Sequence, residues 1–322
     1  MKTEQPPVLS VVAPLFNEEE TVEELVARIA QSCRSLAEPF EIVIVDDGSR
    51  DRTPERLLHL SRNVPELRVI RLSRNFGPMA AVQAGVAAAR GAAVVTIDGD
   101  LQDPPELIPR LVAEWRKGAE VVVAQRAVRE EGRLQKSGTR IFYWLLDRIA
   151  ETPVPKQAGI FGLMDRRVAD VIRRMPERQR FFAGLRAWAG GRQTIVPYDR
   201  QSRSHGESKM GIGRLFRLGR MALVSFSKTP LRFASLASLG FSLLLFSIGL
   251  TALLIRLFTD LATPGWATFT TLLGLTGSFQ SLVLAILSEY IAVLFDEVKG
   301  RPLYVVEQEF AEGRPVDRET PG

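Results

Sequence analysis

Apolar runs of strand length alternate with amphipathic stretches through the first half of the chain. "VLSVVA" (Val8 to Ala13) predicts a buried strand. "PLFNEEETVEELVARIAQSCRSL" follows as a proline, a polar turn and a helix with Val22, Leu25, Ile29 and Leu36 near helical spacing. The pattern then repeats. "FEIVIVDDG" reads as a second buried strand, "SRDRTPERLLHLSRN" as a helix capped by Ser or Asp, and "LRVIRLS" as a third strand. "GPMAAVQAGVAAARG" is a helix between glycines, "AAVVTIDGD" a fourth strand, "PPELIPRLVAEWRKG" a further helix and "AEVVVAQR" a fifth strand. Strands alternating with helices predict an α/β domain with a mainly parallel sheet.

The second half changes character. No residue from Phe233 to Ile255 is charged, and none from Leu261 to Ser288. Each run exceeds the roughly 20 apolar residues needed to cross a bilayer. They predict a transmembrane hairpin over 233–295, with spans at about 233–256 and 264–290 and Trp266 suited to an interfacial anchor. Lys228 and Arg232 precede the first span, and Lys299 and Arg301 follow the second, while the loop carries Arg256 and Asp260. That bias places both termini on the cytoplasmic side. "MKTEQPPVLSVV" lacks the apolar stretch of a signal peptide, so the first 230 residues are expected to stay in the cytoplasm and the protein at the inner membrane. The expected organisation is a cytoplasmic catalytic domain over 1–200, a basic loop and interfacial amphipathic helix over 201–232, the hairpin, and a cytoplasmic tail over 296–322.

The net charge of +5 raises nucleic acid as a partner. Much of the positive charge, however, lies between Arg200 and Arg232, where "GIGRLFRLGRMALVSFSKTPLR" alternates basic and apolar residues as in a helix lying on anionic headgroups. Membrane contact accounts for the charge, and nucleic acid is not expected. A single Cys33 excludes an internal disulfide, and the two histidines, His59 and His205, lie too far apart in sequence to suggest a zinc site.

The acids track the strand ends. "VVTIDGDLQDPPELIPRL" carries Asp98, Asp100 and Asp103 at the end of the fourth strand, and Asp46 and Asp47 end the second. Ligands of open α/β sheets bind outside the carboxyl ends of the strands. Neither G-x-G-x-x-G nor G-K-[ST] is present, so a phosphate ligand would meet acids rather than a glycine cradle. A divalent cation resolves the repulsion. Mg²⁺ takes one or two carboxylates plus substrate phosphates and water. Asp100 is expected to ligate the metal, Gln102 to add its side-chain carbonyl, and Asp98 to turn to the sugar or ribose. Asp103, directly before Pro104 and Pro105, is expected to cap a helix.

"PLFNEE", "IVDDGSRDRT", "LSRNFG" and "TIDGDLQDPPE" resemble family 2 glycosyltransferases of the GT-A fold, a Rossmann-like architecture. "RFFAGLRAWAGG", "RSHGESKMGIGRLFRLGRMALVSFSKTPLR" and "SEYIAVLFDEVKGRPLYVVEQ" narrow the likeness to the polyisoprenyl-phosphate glycosyltransferases, over about residues 8 to 308. The resemblance implies that Pro14, Phe16, Glu18 and Asp46 cradle the nucleoside and that Asp98 and Asp100 form the D-x-D. It puts Arg126 where an arginine contacts phosphate and matches Arg203 and Lys209 to the family's R-x-x-x-G-x-S-K segment. It implies a nucleotide sugar donor (UDP- or GDP-linked), a polyprenyl phosphate acceptor, Mg²⁺ or Mn²⁺, and inversion at the anomeric carbon.

The chain also departs from the family. In "KQAGIFGLMDRR", Gln157, Ile160 and Gly162 stand where two acids and an arginine are expected. Arg129, Arg133 and Lys136 either compensate by binding lipid phosphate or form an exposed helix face. A catalytically weakened, nucleotide-binding membrane scaffold is the alternative reading. A processive polysaccharide synthase is not favoured, because "ERQRFFAGLRAW" supplies no Q-x-x-R-W motif. The small residues of "LLGLTGSF" would permit close helix contact between copies of the chain.

Overall fold

The structure, a computed structural model, describes residues 7–126, 158–175, 182–199, 236–241, 243–245, 247–248, 251, 258 and 265–316. The elements run β1 (Leu9–Leu15), α1 (Val22–Arg34), β2 (Phe40–Asp46), α2 (Thr53–Asn63), β3 (Leu67–Leu72), α3 (Pro78–Ala88) and β4 (Ala93–Thr96). A 3₁₀ turn (Pro105–Leu107) leads into α4 (Ile108–Arg116), followed by β5 (Val121–Arg126). Then come β6 (Ala158–Asp165), α5 (Arg166–Arg174), α6 (Phe182–Trp188) and β7 (Gln193–Tyr198). A long helix, α7 (Trp266–Val298), precedes β8 (Val306–Ala311) and β9 (Arg314–Pro315).

The strands form one sheet in the order β7-β5-β6-β4-β1-β2-β3-β8-β9. β1 pairs in parallel with both β2 and β4, β2 with β3, and β5 with β7. β6 runs antiparallel between β4 and β5, and β8 antiparallel along β3. The mainly parallel α/β expectation therefore holds. β4 leaves β1 on the side opposite β2, so the strand order reverses there, and ligands of open α/β sheets bind outside the carboxyl ends at such a reversal.

The central strands are apolar runs because helices cover both faces. Leu9, Val11, Ala13, Ile42, Ile44, Leu67 and Val69 pack with Leu25 and Ile29 of α1 and Ile108 and Leu111 of α4. Val12, Val43 and Val45 point to the opposite face, where α3 contacts β1 and β2. On α1 the buried positions Val22, Leu25, Val26, Ile29 and Cys33 fall on one stripe.

The chain divides into two compact units. One holds the sheet, including residues 301–322, and the other comprises 144–151 and 210–300. In the second unit α7 spans 33 residues, about 50 Å at the helical rise. Its window Leu275–Ala292 has a mean hydropathy of 1.3 and no buried residue. Among the described residues it is the one helix long and apolar enough to cross a membrane. A shorter apolar helix, Leu236–Leu245, falls within the first expected span, the rest of which lies largely outside the described residues. The rings of Phe241 and Phe279 approach to 4.4 Å.

The segment 296–322 was expected as a tail, yet it supplies β8 and β9 to the sheet. Without β8, β3 would present an open edge of unpaired backbone groups.

Candidate functional site

Two loops at the carboxyl rim are tied together by side chains bonding to backbone. Asn17, with φ at +55°, donates its amide to Ser49 Oγ at 2.9 Å and accepts from the Arg50 amide at 2.9 Å. The Glu18 amide donates to Thr53 Oγ1 at 2.9 Å, and the Glu19 amide to Asp51 Oδ2 at 3.2 Å. The polar run "FNEEE" after β1 is thus bonded to "SRDRT" after β2. Phe16 is left 41% exposed at the rim, beside Pro14 near the end of β1. The Glu18 side chain accepts from Thr21 Oγ1 at 2.9 Å.

The paired acids at the end of β2 have different surroundings. Asp47 is buried, and its two oxygens accept the Phe76 and Gly77 amides at 2.7 and 2.8 Å. Burial raises its pKa above the ordinary carboxyl value, and those two bonds oppose the rise. Asp46 is fully buried, with Oδ1 accepting the Ser49 amide at 2.9 Å. Its Oδ2 has no hydrogen-bond partner and lies 3.7 Å from Arg71 Nε, itself without one. Both residues line a cavity of about 150 Å³, with Leu58 of α2 and Gln308 and Phe310 of β8 among its walls. Arg71 Nε also lies 3.4 Å from Glu307 Oε2, so its guanidinium is shared between the two carboxylates at the cavity wall.

The D-G-D turn sits against the end of β1. A Cβ on Gly99 would meet Leu15 Cδ2 at 2.3 Å and the Pro14 carbonyl oxygen at 2.5 Å, so only glycine lets the turn approach. Asp98 stays about one third exposed, and Arg126 Nη2 lies 3.4 Å from its Oδ2. The same nitrogen is 3.6 Å from Asp103 Oδ2, and Arg126 Nε donates to Tyr198 Oη at 3.2 Å. Tyr198 in turn donates to Asp103 Oδ1 at 2.5 Å. Burial, and then the Asp103 carboxylate, push the Tyr198 hydroxyl above its usual range, so it stays a donor.

This overturns the cap assigned to Asp103. The 3₁₀ turn has Pro104 at its cap position and no side-chain cap bond, and Asp103 is fully buried beneath Arg126. The expectation failed because Tyr198 arrives 95 residues later in sequence. Tyr198 and Arg71 are the site residues that sequence reasoning missed.

Asp98 and Asp100 keep partial water access on one turn, with Asp100 Oδ1 accepting the Gln102 amide at 3.1 Å. Gln102 itself is buried. Among the described residues no group of three or more His, Cys, Asp or Glu side chains is arranged to hold an ion. Hard oxygen donors that fill only part of a shell fit Mg²⁺ or Mn²⁺ completed by phosphate and water. Arg203, Lys209, Gln157, Arg129, Arg133 and Lys136 lie outside the described residues.

Comparison with known proteins follows the same lines. A family model described as Glycosyl transferase family 2 matches residues 10–173. The chain is 38% identical to an uncharacterized glycosyltransferase of Synechocystis sp., over 92% of this chain and 94% of that protein. It is 34% identical to a prophage bactoprenol glucosyl transferase homolog of Escherichia coli, over 93% and 98%. It is also 34% identical to an undecaprenyl-phosphate 4-deoxy-4-formamido-L-arabinose transferase of Salmonella choleraesuis, over 97% of each. Among solved structures, a mycobacterial protein superposes with a TM-score of 0.47 at 20% identity, over 68% of this chain and 73% of that one.

Proposed function

The chain belongs to glycosyl transferase family 2, and on that premise we propose that this glycosyltransferase moves a sugar from a UDP- or GDP-sugar to a polyprenyl phosphate at the cytoplasmic membrane face. The observation that carries the reading is the shared rim. The ends of β1, β2, β4 and β5 bring Phe16, Asp46, Asp98, Asp100 and Arg126 to one edge of one sheet.

Asp46, beside the cavity it shares with Arg71, supports a nucleobase-reading role, with Phe16 offering an exposed ring and Pro14 and Glu18 shaping the adjoining loop. Asp98 turns to the sugar or ribose. Arg126 meets phosphate through its planar fork, and Arg203 and Lys209 add charge to the bound donor. Asp100 and Gln102 would hold Mg²⁺ or Mn²⁺, which would offset the charge growing on the departing diphosphate.

A phosphate monoester has its second pKa at about 6, so the acceptor oxygen is already an anionic nucleophile at neutral pH and needs no histidine base. Its oxygen forms the new bond to the anomeric carbon as the bond to the nucleoside diphosphate breaks, which inverts configuration. Holding the two reactants in line is the main task left to the protein.

Chain connectivity supports the membrane placement. β8 lies in the same sheet as β1 to β7, so the strands before and after the apolar segment lie on one side of any bilayer. If α7 crosses, the chain between must cross an even number of times, which supports the two-span hairpin. Residues 299–304 alone separate α7 from Val305, whose carbonyl accepts the Ser73 amide at 2.9 Å just past β3.

The test is lipid extraction after incubation with radiolabelled UDP- and GDP-sugars, polyprenyl phosphate and Mn²⁺. Labelled lipid of inverted anomeric configuration, lost on chelation and in Asp100→Ala, is the expected result. Nucleotide binding with no labelled lipid from any donor would favour the scaffold reading, and retained configuration would refute inversion.

A further inference from the structure

Arg186 of α6 is among the largest fully buried side chains, 1% exposed. Its guanidinium faces backbone oxygen: Nη2 donates to the Gly159 carbonyl at 3.2 Å and Nη1 to the Ile160 carbonyl at 3.4 Å. A Cβ placed on Gly162 would meet the Val122 carbonyl oxygen at 2.5 Å and that Nη1 at 2.7 Å. The space above Gly162, where the family pattern leads one to expect an arginine in sequence, is therefore filled by a guanidinium delivered from α6.

The two carbonyls it holds belong to the start of β6, which runs antiparallel to its neighbours and so begins at the catalytic rim. Both are in contact with the site. The Ile160 carbonyl also accepts from Thr96 Oγ1, at the end of β4 and two residues before Asp98, at 2.5 Å. Gly159 lies against Arg126, whose Nη2 would be 3.1 Å from a Cβ there. That is the nitrogen facing Asp98. Bulk alone does not explain a buried cation at this position. Among the described residues no carboxylate pairs with it, and burial depresses the Arg186 pKa to about 10.

We propose that Arg186 is a positioning residue for sugar transfer, holding the Gly159–Ile160 carbonyls so that Arg126 and Asp98 meet the donor's diphosphate and sugar in register. This rests on the functional reading above.

The experiment compares the parent with Arg186→Met and Arg186→Lys, as full-length protein in detergent. Nucleoside diphosphate binding with Mn²⁺ is read by calorimetry, transfer by steady-state kinetics and folding by thermal melting. Arg186→Met removes a desolvated charge, so its melting temperature is expected to match or exceed the parent's. Diphosphate affinity and kcat/KM for the donor should fall by roughly 10- to 100-fold, as for other residues that orient a site from behind, while KM for the lipid acceptor is unchanged. Arg186→Lys should recover part of the loss. Parent-like binding and transfer in Arg186→Met, or a loss matched by loss of folded protein, would overturn the inference. A parent that neither binds nucleotide nor transfers sugar overturns the functional reading itself, and this inference with it.

Discussion

Arg68 of β3 holds Glu309 of β8 at 2.6 Å across 241 residues of sequence, and its other terminal nitrogen lies 2.7 Å from Glu41 of β2. All three side chains are buried. The Ser10 hydroxyl and the Arg90 amide also donate to Glu41, each at 2.6 Å. One guanidinium between two carboxylates thus fastens the strand that follows the long apolar helix to the edge of the catalytic sheet. Arg68→Ala would leave two buried carboxylates facing each other, at a cost of about 3–5 kcal/mol. Glu309→Ala leaves Arg68 paired with Glu41 and should cost only about 1–3 kcal/mol. Thermal unfolding of the full chain in detergent checks the ranking, and equal losses would contradict it.

Tyr198 stands between Asp103 and Arg126, donating to one and accepting from the other. Tyr198→Phe keeps the ring, which packs edge-on against Phe161 at 5.6 Å, and removes only the hydroxyl. A buried carboxylate then loses a donor and Arg126 loses an acceptor, so stability should drop by about 1–3 kcal/mol. Transfer should drop further than the melting temperature accounts for, because Arg126 is free to collapse onto Asp98 and Asp103. A variant matching the parent in both melting and turnover would show that the hydroxyl positions nothing.

What the sequence revealed and what it hid follow from range. β1 to β5 could be read because strands covered on both faces are unbroken apolar runs, and α1 because Val22, Leu25 and Ile29 share a stripe. The rim acids could be read because they end those runs. β6 was hidden by its glycines, and β8, "VEQEFA", by polar residues tolerated near the sheet border, where only the two-residue β9 lies beyond it. Asp103 was misread because the neighbouring prolines suggested a helix start, whereas its partner arrives with β7. Arg186 gave no local signal, since a basic residue in "FAGLRAW" reads as surface until β6 is placed beneath it.

Asp51 and Asp47 should act on stability in opposite directions with pH. Partial burial works to raise the Asp51 pKa, but hydrogen bonds from the Thr53 hydroxyl and from the Thr53 and Glu19 amides prevail and hold it below the ordinary value. Folded Asp51 therefore binds its proton more weakly than the unfolded chain does. Its contribution is present above the usual carboxyl pKa of about 3.9 and is lost as pH falls through the lower folded value. Asp47 has a raised pKa, so its contribution favours folding at low pH and fades as pH rises through the folded value. In denaturation midpoints taken from neutral to acid pH, the gap between parent and Asp51→Asn should close in acid. A constant gap would mean that the loop bonds do not select the ionised form.

Cys33 is the sole cysteine, so its labelling is read unambiguously by mass. It sits fully buried on α1 against the sheet, and burial, followed by the charge of Glu66, pushes its thiol up to about 12 from an ordinary 9. The thiolate is the reactive form, so a shift of that size slows alkylation by about 1000-fold before steric exclusion is counted. Iodoacetamide at mildly alkaline pH should leave the folded protein unmodified and label it completely in denaturant. Labelling of the native protein then measures how often α1 lifts from the sheet, and it should accelerate in Arg68→Ala if β8 helps to hold that edge closed. Native labelling at the rate of an exposed thiol would show that α1 does not cover Cys33 in solution.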